Sequence, residues 1–326
     1  MPYPGKRTAA LLGFAALLIA VPLAAPNAYF LDIATKTWIN ALVCVGLNLL
    51  AGYAGQISLG HAAFFALGGY ASAILGARYG VPAPLAMLAG AALVAVLALL
   101  IGRAILRLRG HYLAMATLGF GAIVAIVLNR ELALTGGPDG MPVGPFAIAG
   151  YALPSALGGY VLAGTGLLVG VAAAATLIDS RAGRALRALK DSEIASEALG
   201  IDVAQYKAKV FVISAVFASI AGSIFAHADR FITPMEASFL RSVEFMAMVV
   251  VGGLGSIPGA IVGACILTLL PQVLAHLEDL RHVLTGAMLV GIMAFMPAGI
   301  VPTAAAWWRG RKWLRRKRGK ATYAAP

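Results

Sequence analysis

The chain has 326 residues, of which 61% are hydrophobic and 12% charged; its 25 Lys and Arg outnumber 13 Asp and Glu, giving a net charge of +12. A soluble domain carries roughly 25% charged and 45–50% apolar residues, so a mean hydropathy of +0.89 makes lipid the solvent for most of this chain. Those figures exclude a disordered chain, a disulfide-stapled secreted domain and an ordinary cytosolic enzyme.

A membrane-crossing helix needs about 20 apolar residues. Ten stretches approach that: 8–25, 37–54, 57–77, 84–102, 111–129, 158–178, 209–227, 242–256, 257–275 and 283–301. The first follows Lys6 and Arg7, exceeds the apolar core of a signal peptide and lacks a small-residue cleavage site, so it reads as a retained anchor. An external turn follows it to residue 36. The runs 37–77 and 242–275 are each broken by glycines, which sets two crossings in each. The two cysteines, Cys44 and Cys265, lie inside apolar runs and report nothing about redox compartment.

Residues 130–157, rich in Gly and Pro, form the connection after the fifth span. After the sixth, residues 179–208 hold ten charged residues. Arg181, Arg184, Arg187 and Lys190 recur every three positions beside Leu186 and Leu189, as on a short amphipathic helix. Asp191 or Ser192 suits the N-cap of a second short helix, and Gly200 its end. Two short helices held between spans make a docking surface more than a tether. The tail after the tenth span, WWRGRKWLRRKRGK, suits an anionic lipid surface with tryptophans at headgroup level rather than nucleic acid.

Charge sets the orientation. With the N-terminus inside, nineteen of the 25 Lys and Arg fall on the cytoplasmic side and six outside, as the enrichment of basic residues in cytoplasmic loops requires. The expected fold is an all-α polytopic membrane protein of about ten (8–10) transmembrane helices with both termini cytoplasmic. Its parts are an N-terminal anchor and external turn (1–36), a transmembrane domain (37–303) and a basic cytoplasmic tail (304–326).

No nucleotide-binding P-loop, zinc-protease, paired-cysteine or serine-hydrolase motif is present. Chemistry is therefore sought in polar groups within apolar runs. Asn48, Gln56, Ser58 and His61 accompany the first glycine break. The second, Gly252, Gly253, Gly255 and Ser256, lies near the opposite end of the chain. Broken segments in two halves mark a substrate pathway in transporters, whereas small residues alone mark close helix packing; both readings stay open for the glycines. His61 reads as a hydrogen-bonded packing histidine more than a proton carrier. Asn40 and Gln272 are further polar residues in apolar runs, and Glu244, three residues after Arg241, reads as its ion-pair partner.

Three stretches then carry a resemblance: LNLLAGYAGQISLGHAAFFALGGYAS at 47–72, GRALRALKDSEIASEALGIDVAQYK at 183–207 and VVVGGLGSIPGAIVGA at 249–264, with TGGPDGMPVG at 135–144 in support. They resemble permease subunits of branched-chain amino acid ABC importers, of the LivM type. The resemblance implies the ten-span ABC importer permease fold in a bacterial cytoplasmic (inner) membrane. It implies a homologous, LivH-like second permease, two ABC ATPase subunits that bind ATP and Mg, and a periplasmic substrate-binding protein. This chain would then be a transport subunit without cofactor or catalysis of its own. Such permeases carry their ATPase-contacting loop between spans six and seven, where 179–208 falls. Arg184, Arg187, Lys190, Asp191 and Glu193 are the polar face that would engage the ATPase, with Gly200 closing the unit. Leucine, isoleucine and valine are the expected substrates, although similar permeases carry urea, short amides or aromatic acids. An ion-coupled transporter would instead need membrane-embedded acids, of which the chain offers Glu244.

Overall fold

A computed structural model describes residues 13–16, 18–23, 27–105, 111–148, 151–152, 155–273 and 298–308, with isolated positions at 286, 290, 294 and 296. Most of the expected tenth span and the basic tail beyond 308 lie outside the described residues. The described residues are mostly helical: α1 (Ala28–Asn48), α2 (His61–Tyr79), α3 (Ala83–Ile105), α4 (His111–Arg130), α5 (Leu132–Thr135), α6 (Ser155–Asp179), α7 (Arg181–Asp191), α8 (Glu193–Ala198), α9 (Val203–Asp229), α10 (Phe239–Gly252) and α11 (Ile257–Val273). Among the described residues, five helical stretches are long and apolar enough to cross a membrane: 28–53, 83–103, 111–130, 156–179 and 203–229. The segment 13–23 and α11 are shorter apolar helices.

Composition decides which helices are central. The hydrophobic windows of α1 and α9 are 89% and 72% buried, against 33%, 28% and 33% for α3, α4 and α6. Small and polar residues let backbones approach closely, and α1 carries Thr35, Thr37, Asn40, Cys44, Gly46 and Asn48, all buried. By contrast α3 is almost uniformly aliphatic and leaves Leu85, Leu88, Leu93, Val96 and Leu100 exposed, as suits a lipid-facing helix. At the α2–α9 crossing a Cβ on Gly222 would collide with the Phe65 carbonyl, and Ser223 Oγ donates to the Gly68 carbonyl oxygen at 2.9 Å.

One end of the bundle is closed by short strands. β1 (Met141–Pro142) pairs antiparallel with β4 (Phe231–Ile232), and β2 (Ala147–Ile148) with β3 (Tyr151–Ala152). His227 ties this end to the bundle through its ring nitrogens, 2.8 Å from Ser72 Oγ and 2.9 Å from the Gly144 carbonyl oxygen. Here the structure corrects the expected external turn before residue 36, because α1 already begins at Ala28. Asp32 and Lys36 pair one helical turn apart at 3.1 Å and Lys36 also reaches Asp229 at 3.3 Å, so both charges are accommodated on the helix.

At the opposite end lie 54–60, the α7–α8 unit and 253–256. Each helix of the charged loop starts on a side-chain cap that satisfies a free backbone N–H. Ser180 accepts from Gly183 N at 3.3 Å, Ser192 from Ala195 N at 3.2 Å and Asp202 from Gln205 N at 2.9 Å. Ser192, not Asp191, is thus the second cap, and Gly200 follows α8 in the left-handed region with φ of +80°. The Asp202 cap starts α9 at Val203, six residues ahead of the expected span, so Lys207 and Lys209 lie on α9.

Candidate functional site

The two glycine breaks, two hundred residues apart in sequence, meet. The last carbonyls of a helix lack intrahelical partners, and α1 meets this by widening: Leu49–Tyr53 form a π-helical turn. Gly55 then turns left-handed at φ +68°, and Gln56 N–H returns to the Leu50 carbonyl at 3.1 Å. Gly52 abuts the second break so closely that a Cβ there would collide with Asn48 Oδ1 and Gly255 N. Asn48, 1% exposed, stitches the breaks together. Its Oδ1 accepts from Gly255 N at 2.8 Å and its Nδ2 donates to the Ser256 carbonyl at 2.9 Å. Gly253 and Gly255 have φ of +121° and +78°, and Ser256 Oγ caps α11 by accepting from Gly259 N at 3.1 Å. Gly252 packs against the backbone of Gly259 and Gly263, which places α10 and α11 in backbone contact.

Ser58 and His61 lie beside this junction with their polar atoms engaged. His61 is fully buried, its Nδ1 is 2.9 Å from Ser58 Oγ and its Nε2 is 2.7 Å from Ser214 Oγ. Phe64 and Phe211 meet its ring edge-on. This is a packing histidine. Gln56 differs: it is 4% exposed, yet neither its Nε2 nor its Oε1 has a hydrogen-bond partner among the described residues.

In the charged loop the structure separates residues that sequence spacing had grouped. Arg184, Arg187 and Asp191 are exposed on α7, with Arg184 Nη1 reaching back to the carbonyls of Asp179 and Ser180 at 3.4 and 3.5 Å. Lys190 is exposed as well, and Glu193 is half-buried. Lys190 Nζ donates to the Gly52 carbonyl at 2.7 Å, turning toward the end of α1 where the helix carbonyls attract a cation. Glu193 pairs with Lys207 of α9, whose ammonium is too deeply placed to stand without an anion. Sequence reasoning missed Lys207 and Ser214, which only the tertiary fold brings near Glu193 and His61. It also missed Ile194 and Leu199, which are 74% and 80% exposed. Their signal was two large aliphatics in the most polar stretch of the chain.

Glu244 forms the expected pair with Arg241 at 3.0 Å. Arg241 also contacts Glu236 at 3.3 Å, donates to Asn40 Oδ1 at 3.1 Å and lies over the Phe245 ring. Asn40 Nδ2 in turn donates to Thr268 Oγ1 at 3.0 Å, and Gln272 accepts from Tyr29 at 2.8 Å. Burial pushes the Glu236 carboxyl above the ordinary carboxylate range, with Arg241 pulling the other way. These contacts give Asn40, Arg241, Glu244 and Gln272 polar partners.

The family described as "Branched-chain amino acid transport system / permease component" matches residues 29–293, which contain both breaks and the α7–α8 unit. The chain belongs to this permease family. Among its relatives are the high-affinity branched-chain amino acid transport system permease protein LivM of Salmonella typhimurium, 33% identical over 89% of this chain and 72% of its own, and that of Escherichia coli K12, 32% identical over 83% and 69%. The permease protein LivH of E. coli K12 is 34% identical over 37% of this chain and 40% of its own. No solved structure matches. As a family member with several apolar helices, this permease is a multi-pass membrane protein, and its relatives are transport subunits.

Proposed function

We propose that this permease forms half of the pore of an ATP-driven ABC importer of branched-chain amino acids. A homologous, LivH-like permease completes the pore, two ABC ATPases dock on the α7–α8 end, and a periplasmic binding protein delivers substrate to the strand-closed end. The chain takes about ten spans with both termini in the cytoplasm of a bacterial inner membrane, which puts α7–α8 on the cytoplasmic side in keeping with its basic neighbours. The observation that carries this reading is the α7–α8 unit itself. It is rigidly capped, packed on the bundle through Leu186 and Leu189, and presents Ile194 and Leu199 to solvent. Exposed aliphatics rimmed by charge mark a protein contact. Arg184, Arg187 and Asp191 form the charged rim, and Gly200 lets the chain turn away.

Within the pore, alternating access moves the two glycine breaks relative to the bundle. Gln56, with unpaired hydrogen-bonding capacity, is the polar group most available to a passing zwitterion; Asn48, Ser58 and His61 instead hold the breaks in place. Gly253, Gly255 and Ser256 supply backbone unwound toward the path, and Gly252 ends α10 beside them. The test is affinity purification of the tagged permease with its co-expressed ATPases, followed by uptake of labelled leucine against labelled urea with the cognate binding protein supplied. ATPase recovery that is lost on deleting 183–202, with leucine the preferred substrate, supports the reading. Urea preference would overturn the substrate, and an ATPase-free preparation that still transports would overturn the importer class.

A further inference from the structure

We infer that Lys190 is the positioning residue through which the α7–α8 unit holds and moves the gate formed by the two glycine breaks. This rests on the importer reading above. Its ammonium donates to the Gly52 carbonyl at 2.7 Å, and glycines of both breaks lie near the side chain. Gly55 is close enough that a Cβ there would meet Lys190 Cγ at 3.4 Å, and one on Gly255 would meet Nζ at 4.0 Å. One lysine therefore bonds the first break and lies beside the second.

Three features make this contact a lever rather than a surface bond. First, Gly52 lies in the π-helical last turn of α1, where backbone carbonyls are left over and the helix dipole favours a cation; single π turns of this kind recur at functional sites. Secondly, Asn48 bonds both Gly255 N and the Ser256 carbonyl, so displacement of the α1 end carries the α10–α11 junction with it. Thirdly, Gln56 leaves both side-chain polar atoms unpaired four residues beyond Gly52. A buried unpaired amide calls for an explanation, and a second arrangement of this turn, in which Gln56 finds partners, supplies one. Lysine suits the role, since its ammonium on a flexible four-carbon stem keeps its bond while the backbone slides.

The experiment uses the assembled importer in proteoliposomes, with ATP hydrolysis and leucine uptake measured on the same preparation. Lys190→Gln is expected to lower uptake per ATP hydrolysed by about tenfold, a size ordinary for coupling between sites, while hydrolysis changes by less than about twofold. In a background lacking Cys44 and Cys265, Lys190→Cys is expected to show the same defect. Alkylation with 2-bromoethylamine, which rebuilds a lysine-like ammonium on the sulfur and releases bromide, is expected to restore it. Unchanged uptake, a parallel loss of hydrolysis and uptake, or failure of alkylation to restore the ratio would each overturn the inference. Failure of the wild-type permease to retain its ATPases would instead overturn the importer reading.

Discussion

Replacing Glu193 by Gln leaves the Lys207 ammonium without its anion. The Lys207 side chain is 5% exposed and that of Glu193 30%, so the pair lies between two known limits. Exposed pairs contribute about 0–1 kcal/mol, whereas stripping the partner from a fully buried charge costs about 3–5 kcal/mol. With the acid partly in water, Glu193→Gln is expected to cost about 2 kcal/mol, or about a 30-fold rise in the opening constant of the α8–α9 junction. Hydrogen exchange of the amides in 193–200 reads that constant directly. Lys207→Met is the control, because it removes the buried charge and keeps an unbranched apolar chain; its expected cost is under about 1 kcal/mol. If Lys207→Met opened the junction as much as Glu193→Gln, or if neither changed exchange, the argument from an unpaired buried cation would fail.

Asn48→Leu strips partners from Gly255 N and the Ser256 carbonyl. At about 1–3 kcal/mol for each orphaned group, it is expected to lower the thermal midpoint in detergent markedly, and an unchanged midpoint would contradict the stitched junction. Ile194→Ser with Leu199→Ser is expected to weaken ATPase retention about tenfold or more while leaving the thermal midpoint intact, since both side chains are exposed; retained ATPase binding would remove them from the docking face. For Glu236, the raised folded pKa means the folded protein holds that proton more tightly than the unfolded chain does. Its contribution to stability is therefore full below the ordinary carboxylate value and falls as pH rises through the folded value. Glu236→Gln is expected to raise the midpoint at pH 7 relative to wild type, with the gain shrinking toward pH 4; a loss at pH 7 would show that the Arg241 pair outweighs burial.

The sequence made the helical class, both glycine breaks and the two-helix loop legible, because each rests on local pattern: apolar runs, punctuating glycines, and basic residues every third position. The Arg241–Glu244 pair was readable for the same reason, being one helical turn apart. Long-range partners were not. That Asn48 bonds Gly255 and Ser256, and that His61 rests against Ser214, depends on which helices cross and at what height. Asp32 and Lys36 pair one turn apart on α1, and Lys190, exposed like Arg184 and Arg187, also reaches the Gly52 carbonyl, a contact that the three-residue spacing does not reveal.

The central claim is that ATP hydrolysed by partner subunits drives branched-chain amino acids through a pore this permease half builds. Labelled leucine uptake into proteoliposomes holding the complete assembly tests it most directly, comparing ATP with a non-hydrolysable analogue in the absence of any ion gradient. Uptake that requires ATP, and is competed by isoleucine and valine, is the expected result. Uptake that proceeds with the analogue, or needs an imposed proton or sodium gradient, would contradict the account.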